Sequence, residues 1–330
     1  MTKLDVVGVG NALVDVIADA DDAFLETHEI IRGGMVLIDN DKAASIYSAM
    51  SPNTQASGGS AANSIACVAS FGGRGGFIGK ISNDALGEVF ASDMAAMGVT
   101  FDTPRLSGDP ATGCCLIAVT DDAQRSMATC LGAASQLTAD DIDEAFVADA
   151  KIIFYEGYQF ELPTSRAGFV KASIAARKHN CQTAITLSDA GVVDRQFESL
   201  VPFLDEHIDI LLANHDEAVR LFETDDIATI TQKARALCPL TAITMSEKGS
   251  LLIPRDGDVV TVPAVAPTSL VDTTGAGDAY AAGLLFGLAR GFELKHAGAL
   301  GSLAAAEVIS HYGARPLASL LDLAKKSDLL

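Results

Sequence analysis

The residues with the clearest chemical potential lie in one run towards the C-terminal end of the sequence, VDTTGAGDAYAAG, which begins at Val271. Gly275 and Gly277 allow a sharp turn and a close approach of the backbone to a ligand. The small and apolar residues that follow predict a helix that begins here. The first amides of a helix have no internal partners and lie at the positive end of its dipole. The run therefore predicts an anion site.

Asp278 lies in the first turn of that predicted helix. An acidic residue there can simply cap the helix, because a negative charge is favourable at the positive end. A carboxylate beside a phosphate site can also accept a hydroxyl proton during phosphoryl transfer, a reaction that depends mostly on positioning and electrostatics. The residue types leave both roles open. Because the dipole favours the anion, we expect the pKa of Asp278 not to be raised.

The elements that must position this run alternate between strand and helix. Short apolar strands are predicted at Leu4–Val9, 77–81, 152–156, 183–187, 208–213 and 241–245. Helices are predicted at 60–71, 84–97, 165–179, 215–222 and 227–237. Wholly apolar strands between helices are typical of a parallel sheet that is covered on both faces. The predicted fold is α/β, with a doubly wound, mostly parallel sheet and helices on both faces.

Two stretches depart from this alternation. Residues 14–56 mix short strands with helices, and residues 114–131 have the pattern of a β-hairpin. We expect the two stretches to form a small β-rich lid over the site. The α/β core then comprises residues 1–13, 57–113 and 132–330.

Composition and missing motifs exclude several classes of function. The 330 residues contain 23 Lys and Arg against 43 Asp and Glu, a formal net charge of −20. Such a surface repels nucleic acid and anionic lipid, so we expect neither as a partner. The six cysteines form no C-x-x-C pair, which indicates reduced thiols in a cytoplasmic protein. Leu13 replaces the third glycine of a dinucleotide fingerprint, and Ile81 stands where a Walker loop needs Ser or Thr.

The chain contains four motifs in the order in which they occur in the ribokinase-like, or PfkB, family of carbohydrate and nucleoside kinases, and it resembles that family. The DTTGAGD run that ends at Asp278 resembles the second family signature. The segment GGSAAN at 58–63, followed by GKISND at 79–84, resembles the first signature. GNALVD, which ends at Asp15, resembles the opening strand, and NHDE from Asn214 resembles the family's N-x-x-E element. Together these motifs cover about residues 5 to 316.

The resemblance implies roles for individual residues in ATP-dependent phosphoryl transfer to an alcohol. Asp278 resembles the catalytic base, and the amides of Gly275, Ala276 and Gly277 resemble the anion hole. The residues that resemble the acceptor-binding set are Asp15, Gly58, Gly59 and Asn63. Those that resemble the nucleotide-binding set are Asn214, Glu217, Ser246, Lys248, Gly249, Asp272 and Thr274. Glu217 would hold Mg²⁺ through water molecules. The segment 311–316 leaves activation by K⁺ open.

Simpler explanations exist for two of these groups. Asn214 and Glu217 also have the spacing of a helix capping box. Gly58 and Gly59 are also compatible with a plain tight turn. The sequence alone decides neither case.

The substrate class depends on the lid. Residues 24–39 and the strand from Arg125 to Leu131 resemble the adenosine-kinase-like branch of the family. Met127, Thr129 and Leu131 share one face of that strand, and an apolar face suits a purine better than a bare sugar. Arg125 resembles a lid arginine that neutralises phosphate. We therefore expect phosphorylation of a primary hydroxyl of an adenosine-like nucleoside by a monomer or homodimer. A free sugar kinase of the ribokinase or fructokinase type, or a non-catalytic nucleoside or sugar sensor, are the alternatives.

Overall fold

The fold is built from strands and helices that alternate along most of the chain, and the computed structural model describes residues 3–122 and 124–330. The strands are β1 (Leu4–Val9), β2 (Leu13–Asp19), β3 (Met35–Leu37), β4 (Thr54–Gly58), β5 (Gly75–Ile78), β6 (Thr112–Val119), β7 (Arg125–Gly132), β8 (Ala150–Glu156), β9 (Gln182–Thr186), β10 (Ile210–Asn214), β11 (Leu240–Thr244), β12 (Ser250–Pro254) and β13 (Val260–Val262). The helices are α1 (Asp22–Thr27), α2 (Asn40–Ala49), α3 (Ser60–Ser70), α4 (Ala85–Ala96), α5 (Glu144–Ala148), α6 (Gly157–Phe160), α7 (Pro163–Lys178), α8 (Ala190–His207), α9 (His215–Phe222), α10 (Ile227–Leu237), α11 (Ala276–Ala289), α12 (Leu294–Val308) and α13 (Leu320–Lys326).

The main sheet has eight strands in the order β13-β12-β11-β10-β9-β8-β1-β5. In this order, neighbouring strands from β11 to β5 are parallel. Strands β12 and β13 add antiparallel strands at the other edge, next to β11. Helices α3, α4, α11, α12 and α13 pack on one face, and α5 and α7 to α10 pack on the other. Both faces are thus buried, which explains why the core strands are apolar throughout. The predicted doubly wound fold is confirmed.

The predicted core elements lie within three residues of the observed ones at each end. The largest difference is the strand predicted at 77–81, which ends at Ile78. Beyond it, Ile81 and Asn83 form backbone hydrogen bonds with Leu106 and leave the sheet. Helix α8 has no predicted counterpart; it contains Pro202, which weakens a local helix signal, and it is held by the apolar face that it buries.

A second sheet has five strands in the order β3-β7-β6-β2-β4, and we call it the lid sheet. Its β6 and β7 form the predicted antiparallel hairpin, with Cys115 opposite Thr129. The strands extend one or two residues beyond both predicted lid segments. Apolar side chains of the lid sheet belong to the same buried cluster as α3 and α11, so the two sheets share packing. The division into a core domain and a lid that closes stays a prediction.

Helices α11 and α12 approach each other through a seam of glycines. A Cβ at Gly283 would lie 2.5 Å from the backbone nitrogen of Gly301, and one at Gly287 would lie 2.7 Å from the Cα of Ala297. Neither contact leaves room for a side chain. The seam therefore fixes the separation of α12 from the helix that carries Asp278.

All six cysteines are free and buried. Across the described ranges, every helix is too short or too polar to cross a bilayer.

Candidate active site

The predicted site residues converge on one cleft of about 1110 Å³ between the main sheet and the lid sheet. Parallel strands of the main sheet bring Glu156, Asn214 and Thr244 to it from their carboxyl ends, and Asn11 follows β1. Ligands of open α/β sheets bind at this edge. The cleft is lined by thirteen residues of the predicted set: Asp15, Gly59, Asn63, Arg125, Met127, Leu131, Asn214, Glu217, Thr274, Gly275, Ala276, Gly277 and Asp278.

One end of the cleft is formed by residues 273–278, which we call the phosphate loop. Gly275 has a φ of 79°, and a Cβ there would lie 2.6 Å from the Cα of Ala314. The Ala276 amide donates to the Thr273 carbonyl at 3.2 Å. None of the described residues accepts a hydrogen bond from the amides of Gly275, Gly277 or Asp278. These free amides at a helix start can bind an anion.

Asp278 lies beside these amides and is held in place by α3. The Ser60 hydroxyl donates to its Oδ1 at 2.6 Å, and the Ser64 hydroxyl donates to its backbone carbonyl at 3.0 Å. Burial raises the pKa of Asp278 to about 7, against the opposing hydrogen bonds from Ser60 and Asn63. Our expectation that this pKa is not raised is wrong, because protein atoms replace most of the water around the carboxylate and outweigh the helix dipole.

A second part of the cleft, which we call the acceptor end after its predicted role, contains Asp15 on β2 and Asn63 on α3, and Asn63 also forms a side-chain hydrogen bond with Asp278. Burial raises the pKa of Asp15 to about 6, and the charges of Arg315 and then Arg125 oppose this rise. Gly58 does not line the cleft, but a Cβ there would lie 2.6 Å from Asp15 Oδ1, so this glycine makes room for the carboxylate. Gly59 has a φ of 99°, and its Cβ would collide with the Asn11 carbonyl.

Sequence reasoning considered Arg315 only as part of the segment 311–316 that leaves activation by K⁺ open, and it missed the contacts of this side chain at the site. Its Nε donates to Asn63 Oδ1 at 3.0 Å, and its Nη1 donates to the Ser57 hydroxyl at 2.7 Å. These partners are about 250 residues away along the chain, so no local pattern announces the contact.

Glu156 at the end of β8 is a second residue that sequence reasoning missed. Its side chain is fully buried, and it accepts the Asn11 amide at 2.8 Å and the Ala61 amide at 2.9 Å. Burial raises its pKa to about 7 despite these bonds. Glu156 thus joins the turn after β1 to the start of α3. An acidic residue that ends an apolar strand is the signal that could have drawn attention to it.

Asn214 and Glu217 form a capping box at the start of α9. Asn214 Oδ1 accepts the Glu217 amide at 2.8 Å, and Glu217 Oε2 accepts the Asn214 amide at 2.9 Å. The capping interpretation is therefore confirmed. Both residues also line the cleft, so capping does not exclude a second role. Burial raises the pKa of Glu217 to about 7.

Asp272 connects three parts of the molecule rather than lining the cleft. Its Oδ1 accepts the Thr274 amide at 2.9 Å and the Thr274 hydroxyl at 2.6 Å. Its Oδ2 accepts the Gly313 amide at 3.2 Å and pairs with Arg125 of the lid sheet at 3.1 Å. The carboxylate thereby orders the phosphate loop and ties it to β7 and to the C-terminal segment.

Three further predicted nucleotide-binding residues also lie outside the cleft lining. Ser246 and Lys248 belong to a 3-10 turn after β11, and Gly249 follows it. Gly249 has a φ of 89°, and a Cβ there would lie 2.0 Å from the Val262 carbonyl oxygen. Gly249 is therefore required by the backbone itself. A nucleotide contact by these residues stays a prediction.

The lid sheet covers the cleft with apolar side chains. Met127 and Leu131 of β7 line it together with Ile117 of β6 and with Met35 and Leu37 of β3. We call these five residues the lid wall. Thr129 and Arg125 lie on the same face of β7, as the period of two predicts.

Comparison with known proteins identifies the family. Residues 35–320 match the model described as pfkB family carbohydrate kinase. The chain belongs to this family. As a pfkB kinase it is an ATP-using phosphotransferase with an alcohol group as acceptor, and its substrate is a nucleoside or a sugar.

Similar proteins, two of them of known structure, cover nearly the whole of this pfkB kinase. The adenosine kinase from Sinorhizobium meliloti is 43% identical, with 98% of this chain and 99% of that chain covered and a TM-score of 0.89. A probable sugar kinase from Rhizobium etli CFN 42 is 39% identical, with both chains covered completely and a TM-score of 0.90. The adenosine kinase of Saccharomyces cerevisiae is 26% identical over 92% of this chain and 94% of that protein. The pfkB kinase therefore has relatives on the adenosine kinase branch.

Proposed function

We propose that the protein transfers the γ-phosphoryl group of ATP to a primary hydroxyl of an adenosine-like nucleoside. One observation carries the proposal: a single cleft holds the free amides beside Asp278 and, next to them, Asp15 and Asn63 beneath an apolar wall, with Asn63 hydrogen-bonded to Asp278. The amides fit a phosphoryl group, and the part with Asp15 and Asn63 fits a ribose that carries a flat apolar base.

Transfer requires one bond to form and one to break. The acceptor oxygen attacks the γ-phosphorus, the bond from that phosphorus to the bridging oxygen of ADP breaks, and the hydroxyl proton passes to Asp278. The amides of Gly275, Gly277 and Asp278 stabilise the charge on the phosphoryl oxygens during the transfer. The raised pKa of Asp278 suits proton acceptance near neutral pH.

The charges in the cleft favour a nucleotide that arrives with a divalent cation. Of the described lining residues, six are carboxylates and two are arginines, and Arg195 is already paired with Glu161 at 2.6 Å. Free ATP would be repelled by this surface, whereas Mg²⁺ neutralises part of its charge and prefers oxygen ligands. Glu217 and Asn214 would hold the ion through its water molecules. When bound, Mg²⁺ stabilises charge on the phosphate oxygens; activation by K⁺ stays a prediction.

Two observations support a nucleoside as acceptor. The lid wall offers five apolar side chains, which suit a purine but would leave hydroxyl groups of a free sugar without hydrogen-bond partners. The protein from Sinorhizobium meliloti, at 43% identity, is an adenosine kinase. The sugar alternative draws on the relative from Rhizobium etli, which is described as a probable sugar kinase.

A coupled assay of ADP release tests the proposal. We expect kcat/KM for adenosine to exceed that for ribose and fructose by at least about 100-fold, which corresponds to burial of one purine. The matched control is 5′-deoxyadenosine, which keeps the base and the diol but lacks the acceptor hydroxyl, so it should inhibit and release no ADP. Equal or reversed preference would move the protein to the sugar branch. Tight binding of adenosine without turnover would favour the sensor.

A further inference from the structure

Arg315 contacts the acceptor end of the cleft from the segment between α12 and α13. Its guanidinium reaches Asn63 of α3 at 3.0 Å and Ser57 of β4 at 2.7 Å. The Ser57 amide is held in turn by Asp93 at 2.7 Å. The third nitrogen of Arg315, Nη2, is buried and has no hydrogen-bond partner among the described residues. A buried donor without a partner is unfavourable and calls for an explanation.

The contact with Asn63 determines which end of that side-chain amide faces the acceptor. A guanidinium only donates hydrogen bonds, so the amide atom that meets Arg315 Nε must be the oxygen. The amide nitrogen of Asn63 can then only donate, and one of its two N–H groups is used in the hydrogen bond to Asp278. With Arg315 at its oxygen and Asp278 at its nitrogen, the amide has one orientation, and the second N–H is the group that can donate to an acceptor.

Asp15 has the opposite character at the same end of the cleft. As a carboxylate it only accepts, and the positive charge of Arg315 favours its ionised form. Asp15 and Asn63 thus present one acceptor and one donor. Two neighbouring hydroxyls match this pair when one donates to Asp15 and the other accepts from Asn63.

We propose that Arg315 is a positioning residue for the acceptor, because it fixes the Asn63 amide as a donor and so sets the polarity with which a vicinal diol is held. The inference rests on the proposed function, since it requires an acceptor with two neighbouring hydroxyls. Arg315 acts through Asn63 and Asp15 and takes no part in the transfer of the phosphoryl group.

The first experiment uses steady-state kinetics to distinguish an effect on the acceptor from an effect on the nucleotide. For Arg315→Met we expect kcat/KM for adenosine to fall about 10- to 100-fold, the size of one charge-assisted hydrogen bond. KM for ATP at saturating adenosine should change less than about threefold. Arg315→Lys keeps the charge but offers no planar fork, and it should recover only part of the loss. The matched control is Arg105→Met, which removes a surface partner of Glu88 and should leave all constants unchanged.

The second experiment asks whether the loss belongs to one hydroxyl. With 2′-deoxyadenosine and 3′-deoxyadenosine, the analogue that lacks the hydroxyl held by Asn63 should show less than about a threefold penalty from Arg315→Met. In an Asn63→Ala background, Arg315→Met should add less than about threefold.

The outcomes distinguish this inference from the proposed function. If wild type phosphorylates a sugar and not adenosine, the proposed function fails, and the same cycle is run with that sugar and its deoxy analogues. If wild type phosphorylates adenosine but Arg315→Met weakens ATP and adenosine equally, the positioning role is overturned. An equal penalty on adenosine and on both deoxyadenosines would also overturn it. Thermal melts of each variant show whether a loss comes from unfolding.

Discussion

The two ends of the cleft differ in the groups that line them, which are mainly backbone amides at one end and side chains at the other. The phosphate loop offers backbone amides at the start of α11, supported by Gly275, which has no room for a side chain. The acceptor end offers side chains from β2, α3 and the lid sheet, with Arg315 behind them. Backbone amides are the same whichever residue carries them, so under the proposed function the first end serves any acceptor. The proposal therefore assigns selectivity for the acceptor to the second end.

Helix α3 connects the two ends. Its first residue, Ser60, donates to Asp278, and Asn63 one turn later hydrogen-bonds to both Asp278 and Arg315. A shift of this helix would move Asp278, the proposed base, together with the proposed acceptor site. Four predictions test how far the ends are nevertheless separable.

The largest effect is expected at the base. Asp278→Asn keeps the size of the side chain and removes its ability to accept the proton. We expect kcat to fall by at least about 10³-fold, while KM for adenosine stays within about fivefold. Single-turnover kinetics with saturating ATP measure the loss directly. Near-normal turnover would show that Asp278 only caps α11.

The next prediction compares two glycines of the phosphate loop. Apart from its chain neighbours and the nearby backbone of α11, no atom of the described residues lies within 4 Å of a Cβ at Gly277, so Gly277→Ala should fold with nearly unchanged Tm. The added methyl group lies beside the free amides, and we expect kcat/KM for ATP to fall about 10- to 100-fold.

Gly275→Ala is the matched variant, because its positive φ and its contact with Ala314 make the same change destabilising. We expect its Tm to fall by at least about 4 °C, measured by calorimetry. Equal melting temperatures for the two variants would contradict this account of the loop.

A smaller effect is expected at the lid wall. Leu131→Gln places an amide where we propose that the purine base of the acceptor packs. KM for adenosine should rise about 10-fold through lost apolar contact, while kcat and KM for ATP change little. Ser199→Gln on α8, outside the cleft lining, serves as the control. A larger change for ATP than for adenosine would place the nucleotide, and not the acceptor, beneath this wall.

The smallest effect concerns pH. Asp278 must be ionised to accept a proton, and its pKa is raised to about 7, so kcat should rise with pH and level off above that value. Ser60 donates to the ionised carboxylate and lowers this pKa. Ser60→Ala should therefore shift the acidic limb of the profile of kcat against pH to higher pH by about half a pH unit. Turnover at pH 6 should then fall about threefold, with little change at pH 8.5. A downward shift would show that Ser60 stabilises the neutral acid instead.

Local features were predictable from the sequence because their physics is local. The glycine run before α11, the capping box at Asn214 and the apolar core strands all lie within a few residues of their cause. The contacts of Arg315 and Glu156 could not be predicted, since their partners come from distant parts of the chain. The prediction for the pKa of Asp278 was wrong for the same reason. The helix dipole is a local effect, whereas burial depends on everything packed around the carboxylate.

The glycine seam between α11 and α12 has a consequence for protein engineering. At Gly283 the two helices meet through backbone atoms, so even one methyl group would push apart the pair that aligns Asp278. The lid wall has no such constraint, because its side chains border open space. A mutagenesis library aimed at new acceptors can therefore randomise the lid wall, provided that every member keeps the wild-type residues of the seam.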